Sequence, residues 1–282
     1  MRHTIILLLL LFCAASVHAQ DKFGYVLDIR GTWTLSTGAK LDKGSAVPVG
    51  GVISTVSIGD PGTYIVIADR SGNIFQRRNC GNAGECNNPL KLPASAGGEQ
   101  SLTSRIIGAA MALVSNEPAK YASFISRSST NLRQGTLQEG VVKLEGDRID
   151  LSSVFKNMKE DRYLMRIEPV TKGGSTGARR KPLEFAWNPK KPQPLAAKDL
   201  AAGLYRINLL EVSLLEPDTD EHEPSGNEAW VLITRADEYT RAASSFEAAT
   251  KLTKQWGTNV KPNAVREFLR ASLDFITAQN QQ

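Results

Sequence analysis

Apolar and polar side chains alternate at the start of the chain. Tyr25, Leu27 and Ile29, then Trp33 and Leu35, recur at every second position with Gly31 between the two sets, which predicts two half-buried β-strands. The same reading predicts strands over Val47 to Val56, Thr63 to Ala68 and Asn73 to Gln76, the last two joined as a hairpin through Asp69-Arg-Ser-Gly72. The period then changes. Pro93 to Gln100 is rich in Ala, Ser and Gly and reads as a linker, and Leu102, Ile106, Ala110 and Leu113 with Ile107 and Val114 follow helical spacing. A second short helix is expected after Pro118, carrying Tyr121, Phe124 and Ile125 behind a cap at Asn116.

Strand signals return at Val141 to Ile149, Tyr163 to Ile167, Leu183 to Trp187, Leu204 to Val212 and Ala229 to Thr234. The chain closes on two helical stripes. Tyr239, Phe246, Ala249, Leu252 and Trp256 form the first, stopped by Gly257. Val265, Phe268, Leu269, Leu273 and Ile276 form the second, started by Pro262. These stripes predict an αα-hairpin packed on the preceding strands. The fold class expected is mainly β with helices: a small sandwich or barrel over 22–93, a helical linker over 101–128, a β-sandwich over 138–235 and the hairpin over 236–280.

Residues 1–19 break the pattern differently. A basic start at Arg2, an unbroken apolar run from Ile5 to Ala15, and small residues Val17 and Ala19 around His18 have the layout of a secretory signal peptide cleaved after Ala19. The apolar run is too short to span a bilayer comfortably, and no later stretch approaches a transmembrane length. Cys13 follows the bulky Phe12, a poor context for lipidation. A periplasmic or secreted location is expected.

Export changes how the remaining chemistry reads. Of three cysteines, Cys80 and Cys86 lie beyond the leader, separated by Gly, Asn, Ala, Gly and Glu. A close pair in an oxidising compartment is expected to form a disulfide. Too few Cys or His accompany it for structural zinc. His3 and His18 belong to the leader, so His222 is the one histidine that follows it, and multi-histidine metal sites are excluded. His222 sits in an acidic loop with Asp218, Asp220 and Glu223. That loop is a weak cation candidate, because the glycine of a calcium loop is missing, and it reads first as a solvated turn. No cofactor is expected.

The formal charge is +5, one cation of which, Arg2, belongs to the leader. With no basic module, nucleic-acid binding is not expected. Basic residues do gather at Arg179, Arg180 and Lys181, and again at Lys190 and Lys191, giving candidate partner contacts. The glycines of Lys172-Gly-Gly-Ser-Thr-Gly lack phosphate-loop order.

Two resemblances complete the reading. Gly24-Tyr-Val26, Gly31-Thr-Trp33, Leu41-Asp-Lys-Gly44, Val49-Gly-Gly-Val-Ile53 and Tyr64-Ile-Val-Ile-Ala-Asp69 resemble the extracytoplasmic β-domain of FecR-type proteins, which implies a non-catalytic sensor or scaffold of the bacterial envelope. Leu183-Glu-Phe-Ala-Trp187 before Pro189, and Asp199-Leu200 leading through Gly203 to Tyr205, are similar to a fibronectin type III or immunoglobulin-like sandwich with its tyrosine corner. The function expected is a non-enzymatic binding or scaffold protein whose partners are envelope proteins or surface polymers. The alternatives are a glycan hydrolase working through two carboxylates, and a calcium or small-ligand binder using the loop at Asp218 to Glu223.

Overall fold

The structure is a computed structural model that describes residues 22–78, 80, 89–94, 101–116, 137–155, 163–170, 182–188, 195–196, 200–211 and 224–280. The expected leader, the second short helix around Tyr121 and the loop around His222 lie outside the described residues. The chain is mainly β with helices, as its periodicity predicts.

The first β unit contains β1 (Lys22–Arg30), β2 (Trp33–Leu35), β3 (Lys40–Leu41), β4 (Ala46–Pro48), β5 (Val52–Thr55), β6 (Tyr64–Asp69), β7 (Ile74–Arg78) and β8 (Leu90–Lys91). They form two four-stranded antiparallel sheets, in the orders β4-β1-β6-β7 and β3-β2-β5-β8. Phe23, Val26, Val47, Ile65 and Ile67 of one sheet share a core with Trp33, Leu41 and Ile53 of the other.

Two local features differ from the simple alternation. The strand expected over Val47 to Val56 is two strands in different sheets. Gly50 turns at φ 67° and its N–H donates to the Pro93 carbonyl, so the chain leaves one sheet and enters the other there. Tyr25, Leu27 and Ile29 do not share one face either. A bulge between Val26 and Asp28 leaves Tyr25 and Leu27 facing the helices and swings Ile29 to the sandwich core. The Asp69 to Gly72 hairpin is present: Asp69 Oδ1 accepts from the N–H groups of Ser71 and Asn73, each at 2.8 Å.

The second β unit contains β9 (Gly140–Glu145), β10 (Arg148–Ile149), β11 (Tyr163–Pro169), β12 (Leu183–Trp187), β13 (Leu195–Ala196), β14 (Gly203–Glu211) and β15 (Pro224–Thr234). The stretch expected as one strand over Val141 to Ile149 is a hairpin, β9 and β10, turned at Gly146 with φ 56°. The strands form one hydrogen-bonded sheet, β12-β11-β14-β15-β9-β10-β13, in which β15 and β9 are parallel and every other pair is antiparallel. Residues from both ends of that order, Trp187 of β12 and Leu195 of β13, pack on one core with Ile149, Tyr205 and Ile207. The sheet is therefore rolled around its inner face.

Among the described residues three helices lie between the β units: α1 (Leu102–Asn116), α2 (Ala236–Trp256) and α3 (Pro262–Asn280). Their apolar stripes bury Ile106, Ile107, Ala110, Phe246, Leu252, Trp256, Phe268, Leu273 and Ile276. Leu27, Val66 and Ala68 of the first β unit and Leu204, Trp230 and Leu232 of the second join the same core. The hairpin thus packs on both β units and on α1, beyond the single sandwich the periodicity pointed to. Each large side chain buried in this layer contributes roughly 1.5–3 kcal/mol relative to exposure. That shared core fixes the two β units to one helical layer.

Candidate functional site

Alternation along the second sheet decides what its outer face carries. Tyr205, Ile207 and Leu209 of β14 point into the rolled core, so Leu204, Arg206 and Asn208 point the other way, toward the helices. The same parity puts Glu228 and Trp230 of β15, Arg166 and Glu168 of β11, and Glu184 of β12 on that outer face. Helix α3 covers the β15 end of the face, and β11 and β12 emerge from beneath it.

The result is a continuous row of ion pairs running from the protein interior to solvent. Arg270 of α3 is 1% exposed; its Nε donates to Glu139 Oε1 at 3.2 Å, and its guanidinium lies 5.6 Å from the Trp230 ring centre. Its Nη2 is 2.8 Å from Glu228 Oε1, an ion-pair contact without hydrogen-bond alignment. Arg266, one turn earlier on α3, also reaches Glu139, at 3.6 Å. Arg206 then bridges Glu228 at 4.0 Å and Glu168 in closer contact, and Arg166 joins Glu168 at 2.6 Å to Glu184 at 3.5 Å. Arg270 and Glu139 are the most buried pair of the row, at 1% and 8%, and Arg166 and Glu184 the most exposed, at 41% and 47%.

The two ends have different electrostatics. Burial pushes the Glu139 carboxyl above its ordinary range, and the charges of Arg270 and Arg266 only partly counter it. Burial also pushes Glu168 upward, but the hydrogen bond and charge of Arg206, together with Arg166, outweigh it and hold this carboxyl below its ordinary range. The open end is an array of alternating acidic and basic side chains, Glu184, Arg166, Glu168 and Arg206, held in register by strand pairing. Each carboxylate of the row is engaged by at least one arginine.

A second polar junction ties α3 to the first β unit. Lys43 Nζ sits 2.9 Å from Glu267 and 3.9 Å from Asp28, whose other oxygen accepts from the Tyr64 hydroxyl at 3.0 Å. This junction supports the architecture and faces the helical layer.

The residues expected from sequence are distributed differently. Cys80 is fully buried in the first β unit and disulfide-bonded, and its expected partner Cys86 lies outside the described residues. Arg179, Arg180, Lys181, Lys190 and Lys191, like Asp218, Asp220 and Glu223, lie outside the described residues as well. In sequence the two basic groups bracket β12, the strand that carries Glu184. Among the described residues no group of three or more His, Cys, Asp or Glu side chains is placed to hold a metal ion. The charged row itself was visible only as alternating polar positions in β11, β12 and β14; nothing in the sequence shows that Arg270 and Glu139 join it. Among the described residues no helix is long and apolar enough to cross a membrane. No family model, no curated protein and no solved structure matches the chain.

Proposed function

We propose that this chain is a non-enzymatic binding or scaffold protein of the bacterial envelope, periplasmic or secreted, that holds its partner on the open end of the charged row. The observation that carries the reading is that row, whose members on β11, β12 and β14 are preset by pairing with one another and, through Arg206 and Glu228 at 4.0 Å, reach Arg270 under α3. Presetting matters because a partner that meets already ordered side chains avoids the entropy of fixing them, and more of the contact energy appears as affinity. The partners expected are envelope proteins or surface polymers with alternating charge. The basic groups Arg179 to Lys181 and Lys190 to Lys191 belong to the same contact region on this reading, since they adjoin β12 on both sides in sequence.

Fold-level features support the same reading. The first β unit is read as FecR-like and the second as immunoglobulin or fibronectin type III-like. Support for the reading of the second is its seven-stranded order, β12-β11-β14-β15-β9-β10-β13, in which its first and last described strands, β9 and β15, are parallel neighbours. The Tyr205 hydroxyl donates to the Ala201 carbonyl at 2.9 Å, as a tyrosine corner does. Such sandwiches place binding on faces, edges and loops.

The test is a photo-crosslinking residue at Ala186, exposed on β12 and on the same face as Glu184. In native envelopes it is expected to give a small set of discrete adducts that disappear when Arg166→Glu and Arg206→Glu are introduced together. Adducts that persist through the charge reversal, or none at all from a folded, abundant protein, would remove this face as the binding site. Glycan turnover by the purified protein would favour the hydrolase alternative, and stabilisation by calcium the acidic-loop alternative.

A further inference from the structure

At the far end of the first β unit three cations gather, and among the described residues none of them is paired with a carboxylate. Arg30, Tyr64 and Arg78 are direct cross-strand neighbours on β1, β6 and β7, so their side chains share a face. Lys261, from the turn between α2 and α3, holds its ammonium 4.3 Å from the Tyr64 ring centre, and the Arg78 guanidinium lies 5.9 Å from it. Arg78 also donates to the Asn259 carbonyl and to Gln76 Oε1. None of these contacts is with an anion. Asp28, next to Tyr64 on the same sheet, is engaged by the Tyr64 hydroxyl and Lys43, and Asp60 by the N–H of Gly62 in its own turn. All three cations belong to exposed residues.

The loop beside them carries the second, independent feature. Between β5 and β6, Val56 is 71% and Ile58 48% exposed, the two most exposed large apolar residues among those described. Their positions are not the result of a slack loop. The Val56 N–H donates to the Thr32 carbonyl, Ser57 Oγ accepts from the Thr32 N–H, and the fully buried Thr63 donates to the Ser57 carbonyl. The Gly59 N–H donates to the carbonyl of Cys80, itself disulfide-bonded. The loop also meets the cationic group: a side chain on Gly62 would come within 2.9 Å of the Arg30 guanidinium carbon. A braced loop that holds two apolar side chains in solvent, next to cations that have no carboxylate partner among the described residues, suits an apolar layer beneath a sheet of negative charge.

We propose that this end of the first β unit docks on an anionic lipid bilayer, with Val56 and Ile58 entering the interface and Arg30, Arg78 and Lys261 meeting the headgroups. The contact is peripheral, and it leaves the charged row on the second β unit free to hold a partner.

The experiment is cosedimentation of the purified full chain with vesicles of phosphatidylcholine alone, or with about one third phosphatidylglycerol. Binding is expected to the anionic vesicles only and to weaken as salt rises. Arg30→Gln with Lys261→Gln is expected to lower it by about fivefold for each cation removed. Val56→Ser with Ile58→Ser is expected to lower it by at least about tenfold. The charge-matched pair Lys143→Gln and Arg148→Gln, on the second β unit, is expected to bind as the parent does. Thermal melts identify any variant that has lost its fold, and the two loop substitutions, being at exposed positions, are expected to keep it. Equal binding to both vesicle types, no binding, loop variants that bind like the parent, or an equal loss in the control pair would each overturn the proposal. So would displacement from the vesicles by inorganic phosphate at constant ionic strength, which would assign the cations to a small anion.

Discussion

Arg270 Nε and Glu139 Oε1 meet at 3.2 Å under the helical layer, joining α3 to the segment that leads into β9. Both are almost wholly buried, yet they are not equivalent. Arg270 has three neighbours to offset its burial: Glu139, Glu228 and the face of Trp230. Glu139 is short of compensation, since burial still holds its carboxyl above the ordinary range against two arginines. Losing the cation therefore harms the fold more than losing the anion.

The first prediction follows from that asymmetry. Arg270→Ala leaves Glu139 buried without its main partner and is expected to cost about 3–5 kcal/mol in denaturant unfolding. Glu139→Gln keeps the shape and removes the costly charge while Arg270 retains Glu228 and Trp230, and is expected to cost less than Arg270→Ala at neutral pH. The pH dependence has a definite sign. A carboxyl whose folded pKa lies above its ordinary 4.5 contributes stability that is full below that value and is lost as pH rises through the folded one. The advantage of the parent over Glu139→Gln should therefore be greater in acid than at neutrality, and the opposite trend would contradict the assignment.

Glu168 gives the reverse sign. Its carboxyl is held below 4.5 in the folded state by Arg206 and Arg166 against the effect of burial, so its contribution is present above 4.5 and is lost as pH falls through the folded value. Glu168→Gln should flatten the acid side of the stability profile while leaving the trend caused by Glu139. Unfolding midpoints between about pH 3 and about pH 6 measure it, and an unchanged acid side would show that the pairings at Glu168 add nothing.

A third prediction concerns the hairpin turn of the first β unit. The Gly72 carbonyl accepts from Trp256 Nε1 at 3.0 Å, its φ is 88°, and a methyl group there would lie 2.4 Å from Leu252 Cδ2. Gly72→Ala combines an unfavourable backbone region with a clash against α2, and is expected to destabilise by about 1–3 kcal/mol. Trp256→Phe loses the hydrogen bond and part of the packing but not the backbone freedom. Chemical denaturation of the two variants separates these contributions, and a neutral Gly72→Ala would mean that the turn and α2 are not in close contact.

These sites show how much the chain reveals about itself. The three helices were legible because large apolar residues such as Ile106, Phe246 and Phe268 repeat at helical spacing, and the longer strands because Tyr205, Ile207 and Leu209 repeat at every second position. Two-residue strands such as β3, β8, β10 and β13 contain no period, and the break at Gly50 between β4 and β5 hides inside an apolar run. The parallel contact of β15 with β9 joins segments far apart in the chain, which alternation within either strand does not specify. The charged row was less legible still. An arginine on a helix ordinarily reads as solvated, and Arg270 is buried only because Glu139, 131 positions earlier, and Glu228 meet it there. Local pattern sets which face a side chain occupies; the partner across that face comes from tertiary packing.

The last prediction concerns Cys80, which is fully buried against the first β unit's core and disulfide-bonded. If the bond runs to Cys86, it closes a short loop, and the chain-entropy relation gives roughly 2 kcal/mol of stabilisation for a loop of that length. Cys80→Ser adds a second cost, because it puts a hydroxyl among Phe23, Ile65 and Ile67 with no sulfur bond to hold the segment. Cys86→Ser should therefore lower the unfolding free energy by about the loop contribution, and Cys80→Ser by more. The Gly59 N–H bond to the Cys80 carbonyl carries the effect onward. Loosening Cys80 should loosen the loop that presents Val56 and Ile58, so amide exchange at Gly59 is expected to rise in both variants. Peptide mapping without reductant checks the pairing directly: a peptide linking Cys80 to Cys86 is expected, and free thiols at both positions would overturn it.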